Sequence, residues 1–566
     1  MNNTELNKPC LVQCGQGLSV LNTLQYQGRF LYSKYSPDKA VKELVKNLKV
    51  LDGTVFLIQS PALWYGCQEL IQKLGNNCII CAFEADPELY EFSSELLKTQ
   101  NFSKDIHFYS INHLQEFDDF LRKEVEKKFL KRVIPLDFSA GVQFNRKLYD
   151  TISRAAEEIP ERFWKNRITL QKFGKLYSKN FFLNLPKLTC SSQLNSLAHT
   201  IDKPIFIAAA GESLDQIFYC KHREALIKKI NSSCFVIAVD AALSPLLEMG
   251  IKVDAAALME GQFVISKAFI GCQKKFHYLI QDLCARPDIA SITGAQPLLY
   301  LSKFSEAAFL NQVIEDGLIS TVIPPLGSVG LLAVEAALML AKDKSVKIFT
   351  IGLDFSYSCG KTHGKGCPAH NNQLMTSSRF KSIENYEAAF TNTLRLKGKN
   401  GGDVITTPAL LSYSKNFSAY SKRPDAANRL FDLADTGLPN GLPYMSLKDF
   451  LKCDFSPAEE INENSLDLFQ ENFAEKSEKI KKYLLREKTS LEIARDLLTK
   501  GDESNFRNSE LSLEEQISAL LKNRDYLYLH FPDGTDFKME ISFLKRIRAE
   551  LDSFIKIQTQ ALSYIQ

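Results

Sequence analysis

Short apolar runs alternate with amphipathic stretches in the first third of the chain. TVFLIQSP (54–61) predicts a buried strand, GCQELIQKLG (66–75) a helix, and NCIICAFEADPEL (77–89) a second strand that runs into acidic residues. This order outlines a nucleotide-binding βαβ unit, but QSPALWYG stands where the glycine fingerprint GxGxxG would be. We therefore predict a smaller Rossmann-like N-terminal domain over residues 1–170.

Two features of this domain allow a structural or a ligand-binding interpretation. Glu84 and Asp86 follow the second strand, where they either hold a ribose or cap the helix that begins at Pro87. Cys78 and Cys81 form a CxxC pair, but side chains three positions apart in a strand face opposite sides. We interpret the cysteine pair as core rather than as a metal site.

The central region repeats the order of strand and helix. Four apolar runs predict strands: IFIAAAG (205–211), VDAAALME (253–260), FHYLIQDL (276–283) and VKIFTIGLDFSY (346–357). SCFVIAVDAALSPLLEMGI (233–251) predicts strand, loop and helix, and GSVGLLAVEAALMLA (327–341) predicts a helix. The repetition indicates an α/β fold for residues 171–450, with a mostly parallel Rossmann-like central sheet flanked by helices.

Residues directly after the predicted strands are the candidate site, because such sheets bind ligands beyond the carboxyl ends of their strands. These residues are Gly211–Ser213, Asp240, Glu260, Gly294 and Asp354. Gly211 lets a ligand approach the backbone, and the Ser213 hydroxyl either bonds phosphate or caps a helix. Asp240 either accepts from a ribose or base edge or caps the helix that follows it.

A Gly-Ser loop precedes the long apolar helix of this region. Gly327 and Ser328 stand where the free amide groups and the helix dipole attract an anion. Close packing of the helix on the sheet through Gly327 and Gly330 explains the same residues without a ligand. Both interpretations are compatible with each other.

The segment CGKTHGKGCPAH (359–370) predicts a flexible loop that closes over a ligand. His363 is the natural general base, because a histidine with a pKa of about 6.5 accepts a hydroxyl proton at neutral pH. Tyr357 precedes the loop and can donate to developing negative charge. The two cysteines and two histidines of the loop offer metal ligands, but their spacing does not match the usual zinc motifs, so we predict no metal site.

The last part of the chain, residues 455–566, is charged and helical. Three segments carry apolar residues at helical spacing: 463–501, 512–523 and 543–562. PDGTD (532–536) predicts a tight turn, with a hairpin between YLYLHF and FKMEI. Helices of this type pack on a neighbouring domain or a second subunit, so this region is the candidate contact of a homo-oligomer.

Composition excludes several classes of protein. A chain of 566 residues suffices for three or four domains of about 150 residues. The net charge of +3 carries no footprint of nucleic-acid binding, and thirteen scattered cysteines indicate buried thiols rather than disulfides. The start lacks a secretory pattern, and the longest apolar stretch, 330–341, contains Glu335 and is shorter than the roughly 20 residues of a membrane span. We therefore expect a cytoplasmic protein.

Five motifs occur in an order that resembles the motility-associated Maf flagellin glycosyltransferases. They are FIAAAGESL, VIAVDAALSPLLEMGIKVD, GSVGLLAVEAALMLA, IGLDFSY and KTHG, within about residues 175–440. The central domain of that family, described as 6-hydroxymethylpterin diphosphokinase MptE-like, is similar to bacterial CMP-sialic-acid-dependent sialyltransferases. The family loop is Gly-Pro-Ser, whereas Glu212 stands here beside an anionic ligand unless it points away or pairs with a cation such as Lys203.

The resemblance implies a role for each candidate residue. His363 is the general base on the acceptor hydroxyl, and Tyr357 assists the departing CMP, with Tyr413 behind it. The residues that bind the nucleotide-sugar are Gly211, Ser213, Asp240, Glu260, Gly327, Ser328 and Asp354.

The function that the resemblance implies is transfer of a nonulosonic acid, of pseudaminic or legionaminic type, from a CMP-sugar donor to Ser or Thr of flagellin. Such a reaction requires no metal, although it leaves open a bound magnesium ion, and it serves flagellar assembly and motility. An alternative is a pterin diphosphokinase that uses ATP and magnesium, with Asp240, Glu260 and Asp354 as metal ligands, although no Walker GxxxxGKS occurs. Another alternative is a non-catalytic flagellin-binding assembly factor.

Overall fold

The computed structural model of the chain contains two units, Met1–Lys172 and Phe173–Gln566. It describes residues 8–14, 21–75, 77–383, 389–455, 473–500 and 512–565. The division into three domains predicted from the sequence, with boundaries near residues 170 and 450, stays a prediction.

The strands of the first unit form two sheets. They are β1 Cys10–Cys14, β2 Leu21–Tyr26, β3 Arg29–Phe30, β4 Thr54–Gln59, β5 Ile79–Glu84, β6 Ile106–Ser110 and β7 Arg132–Asp137. One sheet is antiparallel with the order β1-β2-β3, and the other is parallel with the order β6-β5-β4-β7. The helices of this part are α1 Lys39–Asn47, α2 Cys67–Lys73, α3 Pro87–Thr99, α4 Leu114–Lys128 and the start of α5 Arg146–Asn184.

The two central strands of the parallel sheet are buried along their whole length. All six residues of β4 and of β5 are buried, as expected for apolar runs covered by helices on both faces. Cys78, just before β5, and Cys81, within it, lie in hydrophobic clusters on opposite faces of the sheet. The interpretation of the CxxC pair as core is confirmed.

The two acidic residues after β5 are engaged inside the protein. Asp86 caps α3 by accepting from the amides of Glu88 and Leu89, which is the structural role that the sequence left open. The carboxylate of Glu84 is buried and accepts from the Ser60 hydroxyl and the Tyr149 phenol, each at 2.7 Å. Burial raises the pKa of Glu84 to about 7, although these hydrogen bonds act in the opposite direction.

The second unit is built on a fully parallel sheet. Its strands are β8 Ile205–Ala208, β9 Phe235–Val239, β10 Val253–Leu258, β11 Phe276–Asp282, β12 Gln296–Ser302, β13 Val322–Ile323, β14 Ile348–Ile351 and β17 Leu430–Asp432. Their order is β13-β12-β11-β10-β9-β8-β14-β17, so the chain adds strands on one side of β8 and then moves to the other side. The crevice between the carboxyl ends of β8 and β14 is therefore the topological switch point, where such sheets bind ligands. A separate antiparallel pair contains β15 Leu394–Lys397 and β16 Asp403–Thr406.

Helices surround this sheet and continue into the last part of the chain. They are α6 Asp215–Tyr219, α7 Arg223–Ser233, α8 Asp240–Glu248, α9 Ile289–Thr293, α10 Ala308–Glu315, α11 Val329–Leu340, α12 Pro368–Thr376, α13 Pro408–Tyr420, α14 Leu447–Lys452, α15 Phe473–Lys500, α16 Leu513–Leu521 and α17 Ile541–Ser563. The predicted α/β fold is confirmed, with its Rossmann-like N-terminal sheet, parallel central sheet and helical C-terminal region. Of the helix predicted over 463–501, residues 463–472 and 501 lie outside the described part.

The predicted hairpin around residues 532–536 is wrong. The segment before the turn contains a short 3-10 helix, Asp525–Leu527, and the segment after it has no strand. Consecutive side chains from Tyr526 to Leu529 are buried, so this segment lacks the alternation of a strand. Asp525 accepts from the amides of Ala308 and Phe309, which holds the segment against the start of α10.

The prediction that Gly294 lies at the carboxyl end of a strand is wrong. Gly294 ends α9 in a left-handed conformation, with φ +71, and β12 begins two residues later. Glycine is favoured there because it adopts positive φ without steric cost. Gly294 is therefore at the opposite edge of the sheet from the candidate site.

No helix in the described ranges is long and apolar enough to cross a membrane.

Candidate functional site

The loops that follow β8 and β14 interlock at the switch point. The Gly211 amide donates to the Gly352 carbonyl at 2.9 Å, and the Ala209 amide donates to Ile351 at 2.8 Å. A Cβ on Gly352 would stand 2.0 Å from the Ala209 carbonyl oxygen, and a Cβ on Gly211 would stand 2.4 Å from the Gly352 carbonyl oxygen. Both positions require glycine because the two backbones touch.

Ser213 and Asp354, both predicted to bind the nucleotide-sugar, bind each other. The Ser213 amide donates to Asp354 Oδ2 at 2.7 Å, and its hydroxyl donates to Oδ1. The same hydroxyl accepts from the Gly352 amide at 2.9 Å, and both side chains are buried. Burial raises the pKa of Asp354 to about 6, while the hydrogen bonds from Ser213 oppose the shift. Direct contact of these groups with a donor stays a prediction.

Glu212 points toward the segment 358–367, which we call the 358–367 loop. Its carboxylate accepts from the Ser358 amide at 2.9 Å and from the Ser358 hydroxyl at 2.7 Å. The cation beside it is Lys361, 3.8 Å away, rather than the Lys203 that the sequence suggested. The negative charge of Glu212 is thus used to hold this loop.

A second acidic residue fastens the same loop. Asp215 is buried, pairs with the ammonium of Lys361, and accepts from the Lys365 amide at 2.6 Å. The Gly364 amide donates to the Ala210 carbonyl at 2.9 Å. The 358–367 loop is therefore packed on the segment after β8, and His363 is presented from it. Sequence reasoning missed Asp215 and Lys361, although GESLD and CGKTHG contain them next to residues it chose.

We expect Lys361→Ala to detach the 358–367 loop. The change leaves the buried Asp215 carboxylate without its cation and should lower the free energy of unfolding by about 1–3 kcal/mol. Limited proteolysis should then cut within the loop faster than in the wild type. Lys397→Ala is the matched control, because Lys397 and Asp403 form an exposed pair whose loss should leave the stability almost unchanged. Equal effects of the two changes on stability and proteolysis would show that the pair of Asp215 and Lys361 does not hold the loop.

His363 is half-buried within this loop. Its Nδ1 lies 2.9 Å from the Thr362 hydroxyl. Burial lowers its pKa from the ordinary value, so the neutral ring that a general base needs predominates at neutral pH. His370, at the start of α12, has its Nδ1 3.4 Å from the Gly366 amide, and burial lowers its pKa as well.

The two tyrosines of the prediction occupy different surroundings. Tyr357 is buried, pairs with Ile405 through the backbone, and donates its hydroxyl to the Ala389 carbonyl at 3.2 Å. The Tyr413 ring covers Gly327, where an added Cβ would stand 2.8 Å from it. Tyr357 thus has a structural partner in this conformation, and its part in catalysis stays a prediction.

The N-terminus of α11 lies at the same edge of the sheet, because the other end of this helix lies at the amino edge: there the carbonyls of Met339 and Leu340 accept from the amides of His199 and Ile201, shortly before β8. Ser328 caps the helix by accepting from the Gly330 amide at 3.2 Å, and an added Cβ on Gly330 would stand 2.4 Å from the Leu353 side chain. Within the described ranges, the amides of Gly327, Ser328 and Val329 donate to no protein group. These are free donors of the type that binds an anion.

Carboxyl groups mark the ends of three neighbouring strands, β9 to β11. Asp240 is buried and accepts from the Ala241 amide at 2.6 Å, and burial together with the charge of Glu260 raises its pKa to about 7. Asp282, the last residue of β11, is also buried, and burial raises its pKa to about 7. We had not singled out Asp282, although a carboxylate at the end of an apolar run is the same signal that identified Asp240.

No group of three His, Cys, Asp or Glu side chains in the described part is arranged to hold a metal ion. Cys359 is exposed, while Cys367 is buried with its sulfur 3.9 Å from the Ala210 carbonyl oxygen.

The chain is similar to known proteins in sequence and in fold. Residues 179–360 match the family model described as 6-hydroxymethylpterin diphosphokinase MptE-like. The chain is 29% identical over 572 residues to an uncharacterized protein of Treponema pallidum (strain Nichols), across 97% of this chain and 95% of that protein. It also matches the solved structure of MAf glycosyltransferase from Magnetospirillum magneticum AMB-1, with a TM-score of 0.51 and 13% identity over 98% of this chain and 92% of that one.

These findings confirm the resemblance to MptE-like and Maf proteins that the five motifs indicated. At 13% identity the structural match establishes the fold alone. It does not establish the activity, because one fold hosts many activities. The matched range 179–360 contains every predicted nucleotide-binding residue and Tyr357, and it ends three residues before His363. The similarity to sialyltransferases stays a prediction.

Proposed function

We propose that this protein is a glycosyltransferase that moves a nonulosonic acid, of pseudaminic or legionaminic type, from a CMP-sugar to Ser or Thr of flagellin. The observation that carries the proposal is the set of free amides at the start of α11, beside the switch point of a parallel sheet. Such an arrangement suits the phosphate of a nucleotide-sugar. The fold shared with MAf glycosyltransferase over 98% of the chain supports the same reaction class.

In this proposal His363 removes the proton of the acceptor hydroxyl as its oxygen attacks the anomeric carbon. The bond from that carbon to the phosphate oxygen breaks, and CMP leaves with the electron pair. The negative charge that develops on the phosphate is stabilised by the amides of residues 327–329. We assign this task to α11 because the Gly211 amide and the Tyr357 hydroxyl already donate to Gly352 and Ala389.

The scheme needs no metal, which separates it from the kinase alternative. The description of the family model, a diphosphokinase, is the observation that favours that alternative. A diphosphokinase would need ATP with magnesium, held by carboxylates such as Asp240, Glu260 and Asp354. Nucleotide preference therefore distinguishes the two enzymes.

We expect CMP without magnesium to stabilise the second unit. At one hundred times its dissociation constant, CMP should add about 2.7 kcal/mol and raise the unfolding temperature by about 3 °C. The measurement is thermal unfolding with CMP, CTP or ATP, each with and without magnesium. If only the combination of ATP and magnesium raises the unfolding temperature, the diphosphokinase replaces this proposal. If no nucleotide raises it, the result favours the non-catalytic assembly factor.

Val329→Pro tests the assigned phosphate site directly. Proline is accepted at the first position of a helix, and the extended Ser328 before it, with φ −141 and ψ 135, is compatible with a following proline. The change removes one free amide and should weaken CMP binding about 10-fold or more, as expected for a hydrogen bond to a charged group. Val329→Ala keeps the amide and should bind CMP as the wild type does. Equal affinity of both variants would exclude α11 as the phosphate site.

A further inference from the structure

A buried hydroxyl without a hydrogen-bond partner lies in the carboxyl half of β12, a strand of the sheet that carries the proposed donor site. Tyr300, in β12, is 1% exposed, and its hydroxyl forms no hydrogen bond within the described part of the chain. A buried polar group is normally paired, because leaving it unpaired costs stability. Such a group therefore calls for an explanation, and a ligand that completes its hydrogen bond supplies one.

The Tyr300 hydroxyl lies among buried carboxyl groups. Tyr300 is the register partner of Asp282 on the adjacent strand, so both side chains project from the same face of the sheet. Burial raises the pKa of the phenol well above the ordinary value, and the charges of Asp282, Cys284 and Asp240 act in the same direction. We call Asp240, Asp282 and Tyr300 the Tyr300 subsite.

Among the described residues, no cation forms an ion pair with this subsite. Asp282 Oδ1 accepts from the amides of Cys284 and Ser302, and Asp240 accepts from the amide of Ala241. Neither carboxyl group forms an ion pair with a Lys, Arg or His of the described ranges. The subsite thus offers hydrogen-bond acceptors and a phenol, and it would repel a phosphate or a carboxylate.

Glu260 and Tyr177 are both half-buried. They interact electrostatically with the Tyr300 subsite: the charges of Glu260 and Asp282 act on the Tyr177 phenol, and that of Glu260 acts on Asp240. Asp240 directly follows β9, which is the neighbour of β8 in the sheet. Asp282 is the last residue of β11, which lies three strand spacings, or about 14 Å, from β8. The start of α11 and the subsite lie at the same edge of the sheet, and a nucleotide-sugar would have to span this edge to place its neutral part at the subsite.

We propose that the Tyr300 subsite binds hydroxyl and N–H groups of the donor, a conclusion that rests on the proposed glycosyltransferase function. The anionic part of the donor lies at α11 and its neutral, donor-rich part lies at Tyr300, Asp282 and Asp240. Those neutral groups come from the nucleoside or from the sugar, and both present the same chemistry. Tyr300 would therefore contribute to recognition of the donor without taking part in bond breaking.

The test is Tyr300→Phe, which removes only the unpaired hydroxyl. Without ligand, the variant should unfold at the same temperature as the wild type or higher, since it no longer buries an unsatisfied group. With ligand, its dissociation constant should rise about 10-fold, the usual effect of losing one hydrogen bond to a buried polar site. Tyr278→Phe is the matched control, because Tyr278 is a buried tyrosine near the amino end of the adjacent strand β11. It should bind the donor as the wild type does.

Binding is measured by calorimetry with CMP and with CMP-N-acetylneuraminate. Weaker binding of both ligands to Tyr300→Phe assigns the subsite to the nucleoside, and weaker binding of the CMP-sugar alone assigns it to the sugar. Unchanged binding of both to Tyr300→Phe, with normal binding by the wild type, overturns the subsite and leaves the proposed function standing. If the wild type binds neither ligand, the proposed function and the subsite both fail.

Discussion

Gly352→Ala should lower the free energy of unfolding of the second unit by about 2–5 kcal/mol. The residue has φ +79, a left-handed conformation that costs an alanine about 1–2 kcal/mol. Its Cβ would also stand 2.0 Å from the Ala209 carbonyl oxygen, and overpacking of this kind adds about 1–3 kcal/mol. Because a backbone atom blocks the space, the β8 and β14 loops must separate, and CMP binding should be lost with them.

Gly250→Ala separates the two contributions. Gly250 has φ +84, but nothing lies within 4 Å of its added Cβ, so this variant carries the backbone strain without the clash. Chemical denaturation of both variants should place Gly250→Ala about 1–2 kcal/mol below the wild type and Gly352→Ala clearly lower. If the two variants lose the same stability, the interlocked loops do not constrain the switch point.

His363→Ala should reduce the rate of transfer to flagellin by about 100- to 10,000-fold, the usual contribution of a general base. CMP affinity should stay unchanged, because the phosphate donors of the proposal lie on α11. Transfer is followed by the mass increase of flagellin incubated with the CMP-sugar. A variant that still glycosylates at the wild-type rate would remove His363 from the mechanism.

His370→Ala is the control for this assignment, since both histidines belong to the same segment. We expect the His370 variant to keep near-normal transfer, and the reverse result would move the role of base to His370. The pH dependence gives a further check. Burial lowers the pKa of His363, so the neutral base persists to lower pH than for an ordinary histidine. The transfer rate should fall only below the usual histidine range of about 6.5.

Much of the fold could be predicted because its signals are local. The buried runs that became β4, β8 and β14 are apolar over consecutive positions, as parallel strands covered on both faces must be. The start of α3 could also be predicted, because Asp86 is a typical N-cap residue and Pro87 is favoured at the first helical position. The hairpin at 532–536 failed because burial of the preceding segment comes from contacts with distant helices.

The candidate site was predicted at the level of the sheet edge and less well at the level of contacts. Strand-end positions such as Gly211 and Asp354 could be placed together, since the carboxyl ends of parallel strands share one edge. The bond between Ser213 and Asp354, which are 141 positions apart, depends on how two loops bend after their strands. The partner of Glu212 depends on the course of the 358–367 loop, and no pattern within GES indicates Ser358 or Lys361.

The order of strands and helices and capping residues such as Asp86 follow from the chain itself, because each depends on neighbours within a few positions. The pairing of β8 with β14, the clamp from Glu212 and Asp215 onto the 358–367 loop, and the unpaired Tyr300 hydroxyl beside Asp282 exist only in the folded protein. Each of these joins residues from separate strands or loops. Burial then determines which hydrogen bonds the carboxyl and hydroxyl groups of these residues need. A polar group that is removed from water requires a partner within the fold or in a ligand.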